Sequence, residues 1–321
     1  MKYKHLFGPV ISRRLGISLG VDVVPYKYCS MDCVYCEVGK TTHLLDKPEN
    51  FVDFNELISE LDSFISENPK LDYITFSGAG EPLLYSRIGE VINYVKENYS
   101  QYKLALITNS THLNRKDIQD ELMKLDMVMP SMDATDNATF KLINRPASTI
   151  DIDSVITNLA KFSAKFPGVV WLEIFFIPGL NDSDEILKDM KSKIELIKPD
   201  RVQLNSLDRP GTEPWVVQED FEKLEKIKDY FQEGIKDIEI EIIKKVNKEL
   251  FDQNVDSVET QDKILTTISR RPCTAQDLSQ MLNLHINAIN KVLHELISIG
   301  YIEGIRQDRG VFYQLRSIGC S

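Results

Sequence analysis

The chain carries the run CSMDCVYC at residues 29–36, which sets Cys29, Cys33 and Cys36 in a Cys-x3-Cys-x2-Cys spacing. Three thiolates on one loop can bind three irons of a cubane [4Fe-4S] cluster and leave the fourth iron open to an external ligand. The alternative is a structural zinc site completed by Glu37 or His43. Structural zinc sites usually draw two ligands from each of two separate loops, and the sequence has no second pair of this kind. The spacing therefore favours an iron–sulfur cluster.

The number of cysteines and the net charge further restrict the classes of protein to which this chain can belong. The 321 residues include five cysteines, an odd number, and three of them fall within this one run. A disulfide framework would use an even number of more widely spaced cysteines in a shorter chain. The net charge of −11 gives the chain no overall attraction for nucleic acid. The N-terminal residues lack the apolar core of a secretory signal, and no apolar run reaches membrane-spanning length. We therefore expect a cytoplasmic protein with no membrane partner.

Short β-branched apolar runs alternate with segments of helical period over most of the chain. The apolar runs predict strands at residues 17–24, 73–76, 104–108, 127–132, 169–177 and 202–205, with one more strand at the edge, 238–243. The segments between them predict helices at residues 53–67, 88–98, 116–124, 152–162, 184–197 and 221–231, the first one capped by Asp53. Repeated strand–helix alternation indicates βαβ units and a parallel, closed or partly closed sheet. In such α/β folds the chemistry collects at the carboxyl ends of the strands.

The strand–helix alternation ends after residue 243. Residues 244–258 are charged and weakly patterned, which predicts a linker between a first domain at 1–243 and a second at 259–321. The second domain is predicted to contain helices at residues 262–269, 275–282 and 286–299, followed by a hairpin of strands at 301–305 and 311–315. Three helices and a hairpin resemble a winged-helix domain.

With Tyr35 directly before the last cysteine, the run at residues 29–36 resembles the signature of the radical S-adenosylmethionine (AdoMet) superfamily. This resemblance, over residues 7 to 243, implies a partial (βα)6 barrel that holds one [4Fe-4S] cluster through Cys29, Cys33 and Cys36. It also implies that AdoMet binds the open iron and is cleaved to a 5′-deoxyadenosyl radical, which removes a hydrogen atom from the substrate. An electron donor such as flavodoxin or ferredoxin is the partner that this chemistry requires.

The turn after the second predicted strand, SGAGEP at residues 77–82, is similar to the Gly-Gly-Glu segment of the same superfamily. The resemblance implies that Gly78, Ala79, Gly80 and Glu81 bind AdoMet. Glycines let backbone approach a ligand closely, and the carboxylate is an acceptor for the AdoMet ammonium group. Ala79 departs from the pattern, which commonly has glycine there. The alternative is a plain turn that ends a strand.

Polar residues recur at the ends of the later predicted strands. The resemblance implies that they contact AdoMet, together with a segment that resembles the adenine-binding turn and with the aromatic ring beside the last cysteine; the residues are Asn109, Ser131, Asp133, Ile177, Asn205 and Tyr35. Each polar residue could instead cap the helix that follows its strand.

The N-terminal segment resembles a narrower group, related to wyosine synthases. The resemblance rests on the segments FGPVISRRLGISLGVD at 7–22, CVYCEVGKTT at 33–42 and INRP at 143–146. This group includes tRNA wyosine-type synthases and queuine lyases. Arg13, Arg14 and Lys40 are expected near the cysteine loop, where guanidinium forks would suit a substrate phosphate or carboxylate. Alternatively, the two arginines pair with acidic residues on a solvated face.

Two absences favour a small substrate over whole tRNA. The chain has no cysteine before Cys29, whereas the wyosine-type synthases carry additional upstream cysteines for a second cluster, and Cys273 and Cys320 cannot replace that set. Residues 257–321 carry seven Lys+Arg and six Asp+Glu, a net +1, which is no strong basic surface. We expect queuine lyase chemistry on queuosine or its 5′-phosphate, with the C-terminal domain covering the barrel mouth and nucleic acid not a partner.

Other readings of the sequence stay open. One is a tRNA wyosine-type synthase or another radical AdoMet enzyme of the same group. The other, from a different class, is a cluster-sensing winged-helix transcription regulator. Its candidate recognition helix at 286–299 offers Lys291 and His294 as cations, and Asn287 and Asn290 as readers of base edges, which is few cations for a DNA-binding surface.

Overall fold

The computed structural model describes residues 3–243, 257–307 and 309–316. Nearly all of the predicted linker at 244–258 therefore lies outside the described residues, as does Cys320. The next described element after residue 243 is a helix that begins at Ser257.

The strands of the described residues form one large sheet and two small ones. They are β1 (Leu6–Ser12), β2 (Gly16–Val21), β3 (Tyr28–Cys29), β4 (His43–Leu44), β5 (Tyr73–Phe76), β6 (Lys103–Thr108), β7 (Met127–Pro130), β8 (Val169–Phe176), β9 (Arg201–Ser206), β10 (Glu239–Ile242), β11 (Cys273–Thr274), β12 (Ile302–Gln307) and β13 (Gly310–Leu315).

The α-helices of the described residues follow the strands in alternation. They are α1 (Phe54–Ile65), α2 (Ile88–Asn98), α3 (Gln119–Leu122), α4 (Asn137–Ile143), α5 (Ile152–Ser163), α6 (Asp184–Ile197), α7 (Phe221–Gly234), α8 (Ser257–Ile268), α9 (Ala275–Leu282) and α10 (Ile286–Ser298).

The large sheet has the order β1-β2-β5-β6-β7-β8-β9-β10. All neighbours from β2 to β10 are parallel, and β1 alone is antiparallel to its neighbour. The six strands β2 and β5 to β9 are each followed by helix, which is the partial (βα)6 arrangement that the sequence predicts. The predicted α/β fold class and the edge strand at 238–243 are confirmed. The cysteine loop leaves the sheet directly after its first parallel strand, β2.

Several elements went unrecognised in the sequence, among them strand β1, helix α4 and the two-residue strands β3, β4 and β11. Strand β1 forms an antiparallel hairpin with β2, and it is interrupted between Phe7 and Val10, where Gly8 and Pro9 break the ladder. Glycine and proline obscure the strand pattern and are tolerated at a sheet edge. Helix α4, only seven residues long, is capped by the Asp136 carboxylate, which accepts from the backbone N–H groups of Ala138 and Thr139. Such short helices show little periodicity.

Several element boundaries also differ from the prediction. The helix predicted at 116–124 is a 3-10 turn at Lys116–Ile118 followed by the four-residue α3. The first parallel strand ends at Val21, three residues before the predicted end at 24, because the chain turns there toward the cysteine loop. The predicted cap Asp53 is present, and its side chain accepts from Glu56 N at 2.9 Å.

The two sides of the large sheet are packed differently. The helices bury a large apolar core against its outer face, to which α2 contributes Ile88, Val91, Ile92 and Val95. The interior is partly polar, since the hydroxyls of Ser18 and Thr75 lie buried 2.7 Å apart between β2 and β5. Side chains thus do not fill the interior, and cavities remain at its open end.

The C-terminal segment has a core of its own. Helices α8 to α10 and the antiparallel sheet β11-β13-β12 enclose Ile264, Leu278, Ile289, Leu293 and Leu296. This segment packs against the first domain, where α8 and α9 contact the edge strand β1. The three helices and the hairpin that the sequence predicts are present, but α8 begins at Ser257 and not at 262, and β11 adds a third strand to the sheet. The winged-helix likeness stays a prediction. Among the described helices, none combines the length and the apolar character needed to span a bilayer.

Candidate cluster and AdoMet site

The cysteine loop runs from β3 to β4, which pair in parallel through Tyr28 and His43. Two neighbours hold it in place through backbone hydrogen bonds. Glu81 N, in the turn after β5, donates to Tyr28 O at 3.2 Å, and Val34 N donates to the carbonyl of Ile143 at the end of α4 at 2.9 Å. The loop is therefore fixed between the ends of two different βα units, at the carboxyl edge of the sheet.

Each of the three thiols has a nitrogen donor beside it. Asn109 Nδ2 lies 3.6 Å from Cys29 Sγ, and Asn144 Nδ2 lies 3.4 Å from Cys33 Sγ. Lys27 Nζ lies 3.1 Å from Cys36 Sγ. Charged and amide N–H donors stabilise thiolate sulfur, and donors to the sulfurs are a means by which proteins tune iron–sulfur clusters.

The spacing of the thiols separates the two candidate metals. Four tetrahedral ligands on one zinc ion at about 2.3 Å place their sulfurs about 3.8 Å apart. Among the described residues, the group of three ligands that lies within 4.8 Å of one another is His5, Glu56 and Glu60, so the three cysteine sulfurs are spread more widely than that. A cubane cluster binds each thiolate to a different iron and needs such a spread. The arrangement fits the cluster better than a single zinc ion.

The electrostatics of the loop fit a cationic occupant. Burial, and next the charge of Glu81, raises the pKa of the Cys29 thiol to about 11. Burial and the neighbouring Cys36 raise the pKa of Cys33 well above its usual range. Ionised thiolates are thus costly here without a positive partner, and iron that binds the sulfurs supplies that positive charge.

The two glycines of the 77–82 turn bring it against the cysteine loop and β2. A Cβ at Gly80 would lie 1.8 Å from Tyr28 O, and one at Gly78, whose φ is +149°, would lie 2.2 Å from the Asp22 carboxyl carbon. Glycine is required at both positions for this close approach. Ala79, between them, donates its backbone N–H to Asp22 Oδ2 at 3.1 Å. From the sequence, these glycines were expected to let the backbone approach a ligand. In this structure they let the turn approach the cysteine loop and the residue that follows β2.

Glu81 is 2 % exposed, and its carboxylate accepts three hydrogen bonds from the chain. The donors are Leu83 N at 2.9 Å, Thr108 Oγ1 at 2.8 Å and Asn109 N at 2.7 Å. Burial raises its pKa to about 7. Glu81 thus braces the ends of β5 and β6 beside the loop, and its contact with the AdoMet ammonium group stays a prediction.

Tyr35 and Asp133, both predicted to bind AdoMet, contact each other. The Tyr35 ring stacks on Phe175 with centroids 3.8 Å apart, and its hydroxyl donates to Asp133 Oδ2 at 2.5 Å. Asp133 also accepts from Asn144 Nδ2 at 2.7 Å and from Phe175 N at 2.9 Å. Burial raises the pKa of Asp133 to about 6. This network joins the cysteine loop to the ends of β7 and β8.

The structure brings several of the predicted AdoMet residues into one place. Cys33, Tyr35, Asn109, Ser131 and Asp133 line a common cavity of about 30 Å³, space for about one water molecule. AdoMet is much larger than this cavity, so it would have to lie over these residues or displace side chains.

Ile177 and Asn205 lie at neighbouring strand ends, β8 and β9. Ile177 is buried, and its backbone N–H donates to Asn181 Oδ1 at 2.9 Å. Asn205 pairs in register with Phe175, the partner of Tyr35 in the stack. Both residues therefore border the Tyr35 network, and their contacts with AdoMet stay predictions.

The three cations expected to meet a substrate anion do not lie together. Arg13 and Arg14 line a cavity of about 300 Å³ at the open end of the barrel. Both also pair with acidic residues, Arg13 with Asp208 at 3.4 Å and Arg14 with Glu173. Their side chains are half-buried and not on a solvated face. Lys40 is exposed and lines neither this cavity nor the larger one beside it. A contact of Lys40 with the substrate stays a prediction.

Three residues that the sequence analysis gave no role belong to this site. Lys27 and Asn144 are the donors beside two of the cysteines. Asn181 is fully buried, and its side chain binds Ile177 N together with the carbonyls of Asp133 and Phe175. Asn144 stands in the INRP segment and Asn181 ends the turn at 177–181, so both motifs were visible. The partners that place them in this site, Cys33 for Asn144 and Asp133 for Asn181, lie farther away along the chain.

Comparison with known proteins identifies the class to which this fold and site belong. The family model described as the radical SAM superfamily matches residues 23–192, more than half of the chain. The chain belongs to the radical SAM superfamily. Accordingly its cofactors are a [4Fe-4S] cluster and S-adenosylmethionine.

Two relatives are similar to this chain over nearly all of its length. The chain is 28 % identical over 314 residues to UPF0026 protein MJ1312 of Methanocaldococcus jannaschii. This match covers 96 % of this chain and 94 % of that protein. It is 35 % identical over 302 residues to a Brachyspira hyodysenteriae protein named GTPase Obg, and this match covers 94 % of this chain but only 44 % of that longer protein.

Among solved structures, SuiB of Streptococcus suis bound to S-adenosylmethionine has a similar fold. The TM-score is 0.52 at 14 % identity, and the match covers 70 % of this chain and 50 % of that one. At this identity the likeness concerns the fold alone.

Proposed function

We propose that this protein is a radical AdoMet lyase of nucleobase salvage, a queuine lyase that releases queuine from queuosine 5′-phosphate or queuosine. The cofactors, when bound, supply the homolytic removal of one hydrogen atom, in this case from the ribose. The resemblance of the segments at 7–22, 33–42 and 143–146 to the wyosine-synthase-related group supports the choice of a modified nucleoside. The same proposal includes a cytoplasmic location and an electron donor such as flavodoxin or ferredoxin.

The position of the C-terminal segment is the observation that supports a small substrate. A cavity of about 800 Å³ is lined on one side by Cys36 and Ala79 and on the other by Arg270, Pro272 and Leu315. Cavities of this size hold small molecules and cofactors. Because the C-terminal segment forms part of the wall of this cavity, we favour a nucleotide over a folded tRNA as the substrate.

The chain's own residues then have separate tasks. Cys29, Cys33 and Cys36 hold the cluster, with nitrogen donors of Lys27 and Asn109 beside two of the sulfurs. The proposed AdoMet surface is the one already described, from the 77–82 turn to the ends of β8 and β9. The stacked Tyr35 and Phe175 rings offer it a rigid flat wall beside the cysteine loop. Arg13 and Arg14 are the residues proposed to meet the substrate.

The test is anaerobic incubation of the reconstituted and reduced protein with AdoMet and one of three substrates. These are queuosine 5′-phosphate, queuosine and queuosine-containing tRNA, and mass spectrometry follows 5′-deoxyadenosine and free queuine. We expect both products from one or both small substrates and neither from Cys33→Ala. Queuine released from tRNA alone would contradict the small substrate. Formation of 5′-deoxyadenosine without queuine from any of them would contradict queuine lyase activity.

A further inference from the structure

Five arginine side chains line the cavity of about 300 Å³ at the open end of the barrel. They are Arg13, Arg14, Arg209, Arg270 and Arg271. We call this space the arginine cavity. Its other lining residues are neutral, and no carboxylate is among them. In a chain with a net charge of −11, such a concentration of cations around one space requires a physical reason.

The carboxylates that neutralise these arginines lie outside the cavity lining. Glu173 pairs with Arg14, and Glu37 Oε2 lies 3.2 Å from Arg209 Nη1. Arg271 is held more loosely, since its nearest carboxylate oxygen, also of Glu37, is 3.9 Å away. A guanidinium group has five N–H donors, and these pairs use few of them. The acidic residues thus position the arginines and leave donors available.

In two of the arginines the buried Nε lies within ion-pair distance of a carboxylate but makes no hydrogen bond. Arg209 is 4 % exposed, and its Nε is buried without a hydrogen bond, 3.6 Å from the nearest oxygen of Asp277. Arg270 Nε is also buried without one, 3.7 Å from Asp22 Oδ2. A buried charged donor that makes no hydrogen bond costs free energy, so both arginine side chains are incompletely satisfied in this structure.

The cations also oppose one another. Burial, and next the charge of Arg209, lowers the pKa of Arg13 below its usual value. The same two causes, in the same order, lower the pKa of Arg271 to about 10. Burial is the larger cause of both shifts, and the pKa of Arg209 is raised, because Glu37 and other charges outweigh the burial that lowers it. An anion in the cavity would offset the penalty that falls on Arg13 and Arg271.

We propose that the arginine cavity binds the anionic group of the substrate, a phosphate monoester. Arg13 and Arg14 bind it from the β1–β2 hairpin, Arg209 from the loop after β9, and Arg270 and Arg271 from the C-terminal domain. Guanidinium forks match phosphate oxygens with two parallel hydrogen bonds, and a phosphate monoester carries about −1.5 to −2 charges at neutral pH. The proposal rests on the proposed function and deepens it, because it makes the C-terminal domain part of the substrate site.

The position of the cavity suits a substrate that reaches the cluster. Val38, two residues after Cys36, lines both the arginine cavity and the larger cavity that Cys36 borders. Arg270 and Arg271 also line both spaces. A phosphate held by the arginines would therefore leave the rest of the nucleotide to extend toward the cysteine loop.

Arg271 is the best position for a test. Its contacts are long, 3.9 Å to Glu37 and 3.9 Å to Met281 Sδ, so Arg271→Gln should fold as the wild type does. Arg14→Gln tests the part of the lining that the β1–β2 hairpin contributes. Arg306→Gln is the matched control, since Arg306 is an exposed arginine of the same C-terminal domain. Melting temperatures verify that each variant is folded.

The first measurement is calorimetric titration of the full-length protein, with its cluster, with inorganic phosphate. Loss of one charge-assisted pair should raise the dissociation constant about ten- to a hundredfold in Arg271→Gln and Arg14→Gln, and leave Arg306→Gln unchanged. The second is the Michaelis constant for queuosine 5′-phosphate, which should rise similarly in both variants, while that for queuosine changes little.

The phosphate titration does not depend on the reaction, so the two proposals fail separately. Phosphate binding that is lost in both cavity variants upholds the arginine cavity even if no queuine is formed. Absence of phosphate binding to the wild type, or equal binding by wild type and both variants, overturns it. So does a loss of AdoMet affinity equal to the loss of phosphate affinity, since the cavity would then hold the AdoMet carboxylate.

Discussion

Asp22 Oδ2 lies 3.7 Å from Arg270 Nε, and this pair joins the end of the first parallel strand to the C-terminal domain. The same oxygen accepts from Ala79 N at 3.1 Å, so one carboxylate connects β2, the 77–82 turn and the C-terminal segment. The Arg270 guanidinium also lies 4.2 Å from the centroid of the Phe7 ring on β1. Burial raises the pKa of Asp22 to about 6 although Arg270 opposes the shift.

The Asp22 pKa predicts a pH dependence of stability. The folded protein binds the Asp22 proton more tightly than the unfolded chain, whose value is 3.8, so this group's contribution to the free energy of unfolding falls as pH rises from about 4 to 6. A shift of about two units corresponds to roughly 3 kcal/mol over that window. Urea denaturation between pH 4 and 7 should show a flatter decline for Asp22→Asn. The exposed Asp237→Asn should follow the wild type, and identical profiles for all three would contradict the prediction.

The cysteine substitutions test which residues hold the cluster. Cys29→Ala, Cys33→Ala and Cys36→Ala should each lose most iron after anaerobic reconstitution and all 5′-deoxyadenosine formation, because the cubane needs three thiolates. Cys273 lies buried in the core of the C-terminal domain, so Cys273→Ala should keep both. Metal analysis and product assays make the comparison. Stoichiometric zinc without iron in anaerobically purified protein would refute the assignment.

Glu81→Gln should weaken both the fold and AdoMet binding. A glutamine has one acceptor oxygen, whereas both carboxylate oxygens of Glu81 accept from Leu83, Thr108 and Asn109. We expect a loss of about 1–3 kcal/mol in the free energy of unfolding and a ten- to hundredfold loss of AdoMet affinity, with the cluster retained. Glu90→Gln, on exposed helix surface, is the control. Lower stability with unchanged AdoMet affinity would mean that Glu81 only braces the strand ends.

Asn181→Ala should destabilise the protein strongly. Its amide satisfies Ile177 N and the carbonyls of Asp133 and Phe175, all in a buried place. Removing it leaves these groups without partners, at a cost of at least about 2 kcal/mol. Asn98→Ala, which removes one exposed bond to Tyr94 O, should change stability by less than about 0.5 kcal/mol. Chemical denaturation of the two variants measures the loss in the free energy of unfolding. Equal losses would show that the buried hydrogen bonds of Asn181 do not stabilise the protein more than one exposed bond does.

Local patterns in the sequence predicted much of the fold. The helices α2, α6 and α9 begin and end at the predicted residues, because each presents a full apolar stripe of helical period. Strand β1 and helix α4 escaped prediction because Gly8 and Pro9 interrupt the one and the other is very short. Weak local signals of this kind are decided by tertiary contacts.

The sequence by itself determined the metal chemistry, because a chelating loop is local: Cys29, Cys33 and Cys36 need only their mutual spacing to hold one cluster. The arginine cavity was decided by tertiary structure alone. Arg13 had been recognised, but its neighbours Arg209 and Arg271 come from segments far apart in the chain. The role of Asp22 likewise depends on Ala79 and Arg270, which chain folding brings to it. Electrostatic and hydrogen-bonding partners interact only when folding brings them close in space. Those distances are set by the packing of the 77–82 turn and of the C-terminal domain against the first two strands.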